Sequence, residues 1–182
     1  PRDEGYQIEM LLKQHIDFEF IICGSYRRGC ATSGDIDVLM RHPSVVTDEQ
    51  VMETDYLKEI VVLLSEIGFL VDHLTTEGKT KYMGYCRLNS QFSVRRIDIR
   101  FISQESYYPA VVYFTGSKTF NQKMRSRALK MGFTLNEYGL YKIDGFDHKK
   151  NIIKGEKIVV YSERDLFKTI NYPYIKPEER NI

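Results

Sequence analysis

Two carboxylates two residues apart, Asp35 and Asp37, stand in an otherwise apolar stretch that runs on through Val38-Leu39-Met40. In an extended strand both point to one face, while Ile36 and Val38 point to the other. A core strand does not set two unpaired charges side by side, because each must find a partner or a cation. Upstream, Phe18 to Cys23 reads as a buried apolar strand. It turns at Gly24-Ser25, enters a short basic segment with Arg27 and Arg28, and turns again at Ser33-Gly34. Two aligned carboxylates beside a Gly-Ser turn suit divalent cations holding a triphosphate. The oxygens serve the hard cation, and the turn's N–H groups and hydroxyl serve the phosphates. An exposed edge strand with solvated aspartates is the plainer alternative for Asp-x-Asp alone, and the Gly-Ser turn with its basic residues weighs against it.

A second segment, Arg95-Arg96-Ile97-Asp98-Ile99-Arg100-Phe101, alternates strictly. Arg96, Asp98 and Arg100 share one face, and Ile97, Ile99 and Phe101 go to the core. If this strand lies beside the first, Asp98 joins Asp35 and Asp37, and three acids around one site is what two-metal phosphoryl transfer requires. Taken alone, Asp98 reads as neutralised by its flanking arginines.

Composition bounds the rest. The 182 residues allow one large domain or two small ones, and 42% hydrophobic with 28% charged residues is ordinary for a globular chain. No apolar run approaches the ~18 residues of a membrane span and no signal-peptide core is visible, so no membrane partner is expected. The chain begins at Pro1 rather than Met, and we take it as a segment of a longer protein. A net charge of +1 implies no partner by itself. Its distribution does: Lys118, Lys123, Arg125, Arg127 and Lys130 fall between Thr115 and Phe133 without one acid, which points to phosphate contact rather than a mixed-sign solvated face. Cys23, Cys30 and Cys86 lack metal-ligand spacing and read as small buried residues of a reducing compartment. The four histidines are scattered and receive no chemistry.

Along the chain, residues 3–14 form an amphipathic helix pattern, and Ser44 to Gln50 reads as a polar connection. Residues 56–67 carry apolar positions at helical spacing and stop at Gly68. Strand patterns follow over 69–75, 81–88 and 94–102. Beyond a boundary near 103–105 the pattern becomes helix-rich. An aromatic helix runs from Tyr107 to Thr115, a second is capped by Ser117 and ends at Gly132, and a last one opens at Ser162. Between the last two helices, residues 134–141 form a short segment turning at Asn136-Glu137, and Asp144 to Gly155 reads as irregular.

Five ordered motifs, Cys23-Gly-Ser-Tyr-Arg-Arg-Gly29, Ser33-Gly-Asp-Ile-Asp37, Arg95-Arg-Ile-Asp-Ile-Arg100, Tyr113-Phe-Thr-Gly-Ser117 and Asn136-Glu-Tyr138, resemble the family X DNA polymerases, the polymerase beta branch most of all. The likeness runs from Pro1 to the Tyr174-to-Arg180 tail. It implies an α+β chain: a nucleotidyltransferase-type palm over 1–104, with a mixed β-sheet flanked by helices, then a smaller helix-rich thumb over 105–182. It implies that Asp35, Asp37 and Asp98 are the catalytic and metal-binding residues, holding two Mg2+ ions with Mn2+ as a substitute. Asp98 helps to take the proton of the primer 3′-hydroxyl. Ser25, Arg28 and Gly34 match triphosphate contacts. Tyr113, Phe114 and Gly116 match the sugar-contacting turn, and Asn121 a contact to the incoming base. Arg125, Lys81, Arg96 and Tyr138 match DNA contacts. Arg100 is expected to exchange between Asp37 and Glu137, gating assembly of the metal site.

The implied activity is template-directed addition of a dNTP to a primer in gapped or primer-template DNA, serving repair, by a monomer in the nucleus, with the mitochondrion as the alternative. Two departures matter. The family's N-terminal lyase domain has no counterpart in this sequence, and Lys118 stands where the polymerase beta pattern has an acid near the incoming nucleotide. A DNA-binding core that depends on a missing domain is therefore the second reading. A template-independent transferase is the third, and Tyr113-Phe114 and the basic helix speak against it.

Overall fold

Two alternating strands lying side by side set the architecture of the first part of the chain. A computed structural model describes residues 1–182 except 76 and 77. The chain forms two compact units, Pro1–Gln104 and Glu105–Ile182.

The first unit contains, in order, α1 (Arg2–His15), β1 (Phe20–Ile22), the single helical turn α2 (Gly24–Arg27), β2 (Asp35–Met40), α3 (Asp48–Met52), α4 (Tyr56–Glu66), β3 (Leu70–His73), β4 (Lys81–Cys86) and β5 (Arg95–Phe101). The sheet order is β1-β2-β5-β4-β3. Only β2 and β5 run parallel, and the other neighbours are antiparallel, so the sheet is mixed. The alternation read from sequence decides its faces. Val38 and Met40 of β2, with Ile97, Ile99 and Phe101 of β5, join Ile8 and Leu12 of α1 and Leu57, Ile60 and Leu64 of α4 in one buried cluster. Leu12 and Leu64 are fully buried, and truncating such a residue to alanine costs about 2–5 kcal/mol. The opposite face carries Asp35, Asp37, Arg96, Asp98 and Arg100 together with the buried Leu39. α4 ends where Gly68 adopts φ +81°, a conformation that glycine reaches without a Cβ penalty.

The connection expected over Ser44 to Gln50 is in part a helix. Thr47 caps α3: its hydroxyl accepts from Gln50 N at 3.3 Å, and the Gln50 side chain accepts from Thr47 N at 3.1 Å. This reciprocal capping box stabilises a helix too short to show an apolar period.

The second unit contains α5 (Tyr107–Thr115), α6 (Lys118–Lys130), β6 (Phe133–Asn136), β7 (Gly139–Phe146), β8 (Ile152–Ile158) and α7 (Glu163–Thr169). Phe120, Met124 and Ala128, four apart on α6, pack with Leu135, Leu140, Leu166 and Phe167. The irregular stretch expected over Asp144 to Gly155 instead lies mostly in β7 and β8, which pair antiparallel beside β6. These strands bury little. Cross-strand contacts help hold them: Lys142 pairs with Glu156 at 3.2 Å, and Lys154 and Lys157 lie over the Tyr141 ring at 5.1 and 5.9 Å. No helix among the described residues is long and apolar enough to cross a membrane.

Candidate active site

The pairing of β2 with β5 sets Asp37 opposite Asp98 and Asp35 opposite Arg96. Paired residues share a face, so Asp35, Asp37, Arg96, Asp98 and Arg100 stand together on the side away from the core. β4 adds Lys81, which pairs with Arg100. Each carboxylate beyond the strand's start has an arginine near it. Arg96 Nη2 donates to Asp98 Oδ1 at 2.9 Å, and Arg100 Nη1 lies 3.7 Å from Asp37 Oδ1. Arg96 Nε is buried with no hydrogen-bond partner among the described residues.

Burial above all raises the Asp37 carboxyl above its usual range. Arg100 is the main opposing influence, Asp98 and Asp35 push further upward, and Lys81 pulls down. A proton or cation is therefore favoured at Asp37. The donor set suits a hard divalent ion in type: carboxylate oxygens on one face, beside hydroxyl and backbone donors. Among the described residues no three His, Cys, Asp or Glu side chains are grouped to hold an ion together, and Arg96 and Arg100 stand at Asp98 and Asp37.

The candidate phosphate turn is tied to the same strand. Cys23 N donates to Asp37 O at 2.8 Å, and Gly24 follows at φ +65°. A Cβ on Gly24 would lie 3.3 Å from Asp37 Oδ2, so the turn and the carboxylate are in close contact. The Ser25 hydroxyl donates to Ser33 Oγ at 2.9 Å, bridging the two turns, and Arg28 N closes the helical turn on Gly24 O at 3.2 Å. Gly34 has open space where a Cβ would stand, leaving its backbone approachable.

Sequence reasoning missed what holds this turn. Arg2 Nη1 donates to Tyr26 O at 2.8 Å and to Cys30 O at 3.4 Å, and its guanidinium sits 4.7 Å above the Tyr26 ring. The Tyr26 hydroxyl donates to Glu9 at 2.7 Å, and burial with this bond pushes the phenol up to about 12. Gly5 passes so close that a Cβ would meet two ring carbons at 2.8 Å. The spacing of Arg2, Gly5 and Glu9 along α1 was visible, but the ring they grip belongs to another element. Glu4 is likewise buried, in a bidentate pair with Arg95 at 2.8 and 3.0 Å.

In the second unit, Tyr113, Phe114 and Gly116 close α5, and Ser117 caps α6 by accepting from Phe120 N at 3.2 Å. Asn121 Nδ2 donates to Tyr113 O at 2.8 Å. The Arg125 guanidinium lies 5.2 Å from the Tyr113 ring, whose edge meets Phe114 at 5.0 Å. One cleft is lined by Tyr113, Asn121, Arg125 and Asn136. Asn136 Oδ1 accepts from Tyr138 N and Gly139 N, and this turn presents Tyr138, 59% exposed, beside Glu137. Arg100 belongs to the first unit and Glu137 to the second, and the carboxylate beside Arg100 is Asp37.

Comparison with known proteins agrees in both units. Residues 1–104 match the family model of the DNA polymerase beta palm, and residues 110–181 that of the DNA polymerase beta thumb. A DNA polymerase lambda of Rattus norvegicus is 31% identical over 192 aligned residues, covering all of this chain and 33% of that protein. One from Arabidopsis thaliana is 29% identical, covering all of this chain and 36% of that protein. A DNA polymerase/3'-5' exonuclease PolX of Bacillus subtilis (strain 168) is 30% identical, covering 96% of this chain and 26% of that protein. The chain thus spans about a third of the length of the relatives it matches first. With both matched segments accounted for, the chain belongs to the DNA polymerase beta family, family X, as its palm and thumb.

Proposed function

We propose that this chain is the polymerising part of a template-directed DNA polymerase that fills short gaps during repair. The observation that carries the reading is the β2–β5 register, with Asp98 opposite Asp37 and Asp35 on the same face, beside the Gly24-Ser25 turn. Phosphoryl transfer needs positioning and charge neutralisation rather than covalent help from the protein. Ser25, Arg28 and the backbone at Gly34 hold the triphosphate. Asp35, Asp37 and Asp98 would hold two Mg2+ ions, which when bound neutralise charge on the phosphates and lower the pKa of the primer hydroxyl. Asp98 takes the proton as the primer 3′-oxygen bonds to the α-phosphorus. The bond from that phosphorus to the β-phosphate bridging oxygen breaks, and pyrophosphate leaves.

Arg96 serves a primer phosphate, and its buried Nε, without a hydrogen-bond partner among the described residues, is a donor such a phosphate would satisfy. Lys81, Arg125 and Tyr138 contact template or nascent pair, and the Tyr113–Asn121 bond ties the sugar contact to the base contact. Arg100 moves from Asp37 to Glu137 as the site assembles, and unchanged closing kinetics in Arg100→Ala would sink that role. Single-nucleotide incorporation on one-nucleotide-gapped DNA with Mg2+ tests the whole, beside Asp98→Ala. Templated incorporation abolished by the substitution supports it. The chain's share of its relatives, about a third, favours a second reading, a binding core that needs further domains. Retained binding of gapped DNA without incorporation would select that one.

A further inference from the structure

A groove of about 740 Å³ runs along the second unit between α6 and the segment after α7. Thr119, Lys123, Ser126, Arg127 and Lys130 line one wall, and Tyr172 stands on the other. Among the described residues the lining includes no acid, and neither does any position of α6. At 3.6 residues per turn, Lys123, Arg127 and Lys130 fall on roughly the opposite flank of α6 from Asn121 and Arg125, with Phe120, Met124 and Ala128 buried between them on one side. The groove is therefore a second basic face, distinct from the one assigned to the nascent pair.

The groove's chemistry is specific. Arg127 is anchored, Nε on Ile170 O at 3.1 Å and Nη2 on Asn171 O at 2.8 Å, which fixes a positive charge in the wall. Lys123 and Lys130 are exposed and lie two turns apart, about 10 Å along the helix axis. Thr119 and Ser126 add hydroxyls. Tyr172, half-buried, is braced edge-on against Phe167 at 6.0 Å and offers an aromatic surface to a base. Cations, hydroxyls and an aromatic ring in an acid-free groove are the parts that hold a single nucleic-acid strand. Between the two flanks, the outward side of α6 carries Gln122, Leu129 and Ser126, so a strand leaving Arg125 crosses to the groove without meeting a negative charge.

We propose that this groove holds the single-stranded 5′ continuation of the template, an extension that rests on the polymerase reading above. Binding of the whole chain to two labelled primer-templates tests it. The duplex is the same in both, and the 5′ template tail is one nucleotide or about ten. Wild type and Lys123→Gln/Lys130→Gln are compared across salt.

The long tail is expected to tighten wild-type binding and steepen its salt dependence. The double substitution removes two phosphate contacts, so its log–log salt slope on the long tail is shallower by about 1.4. The ratio of wild-type to variant affinity then shrinks about sevenfold from 50 to 200 mM salt on the long tail, with no change on the short one. A wild type that gains nothing from the tail overturns the proposal, as does equal weakening on both substrates. Identical isotherms for wild type and variant, the outcome if the face serves an acidic protein, overturn it too. A wild type that binds neither primer-template breaks the polymerase reading itself, which separates the two failures.

Discussion

Arg180 has a side chain with no exposed surface. Its Nη1 donates to Glu163 Oε1 at 3.0 Å, and its Nε donates to Ile175 O at 2.9 Å. The guanidinium lies 5.4, 5.2 and 5.8 Å from the rings of Phe120, Phe167 and Tyr174. Its backbone carbonyl accepts from Ser117 N at 3.2 Å, directly after Gly116. Replacing Glu163 by leucine leaves a buried guanidinium with its carboxylate gone. Breaking a buried pair from one side costs about 3–5 kcal/mol, because the remaining charge is uncompensated. In a unit of this size each kcal/mol moves the midpoint by about 4–8 °C, so Glu163→Leu should lower the thermal transition of residues 105–182 by at least about 12 °C. Arg180→Met leaves the Glu163 carboxylate, itself only 10% exposed, without its guanidinium and should cost a similar amount. The double variant, Glu163→Leu/Arg180→Met, removes both charges and should recover most of the loss, as apolar replacement of buried pairs does. Calorimetry on the four proteins completes the cycle. A Glu163→Leu shift below about 3 °C, or a double variant as unstable as that single one, refutes the reasoning.

Asp37→Asn should raise the melting temperature of the chain without divalent ions while abolishing incorporation. The folded chain holds the Asp37 carboxyl above its ordinary range, so the stability linked to its protonated form is present in acid and lost as pH rises through that folded value. The gain of the asparagine is therefore largest at neutral pH and narrows as pH falls; a gain that grows toward acid contradicts it. Gly5→Ala presses a methyl onto the Tyr26 ring and should cost about 1–3 kcal/mol by denaturant unfolding, with a smaller cost in a Tyr26→Ala background. Equal costs in the two backgrounds would show that the ring is not what Gly5 makes room for. Lys118→Asp reverses the charge at the start of α6 and should raise the KM for dNTP about fivefold, the equivalent of ~1 kcal/mol, with fewer misinsertions. An unchanged KM would remove Lys118 from the nucleotide's surroundings.

What the sequence disclosed, and what it hid, follows from range. Period-two polarity in residues 35–40 and 95–101 declares which side chains share a face, because the pleat enforces it residue by residue. The caps at Ser117 and Ser162 were legible for the same reason: each hydroxyl meets an N–H three residues away. Thr47 and Gln50 carried an equally local signal, overlooked because α3 is too short for an apolar stripe. The strands β7 and β8 were hidden differently. Lys142, Asp144, Lys154 and Glu156 read as loop polarity until their neighbours across the ladder are known. The grip of α1 on Tyr26 and the enclosure of Arg180 join residues far apart in sequence, and no local pattern specifies such partners.

The parallel register of β2 and β5 raises a difficulty that the same strands resolve. It sets Asp37 beside Asp98 with Asp35 close by, and like charges on a partly buried face disfavour one another. The fold tolerates them because β5 supplies Arg96 and Arg100 two residues to either side of Asp98, on the same face by the same alternation. Arg96 donates to Asp98, and Arg100 lies beside Asp37. Both are long side chains on a surface that is neither fully buried nor fully wet, so a phosphate or another carboxylate can draw them off. On the proposed function, a cation arriving at the aspartates and an arginine leaving them would be two halves of one exchange. The raised Asp37 carboxyl and the Arg96 Nε, buried with no hydrogen-bond partner among the described residues, mark where the pairing on this face is least satisfied.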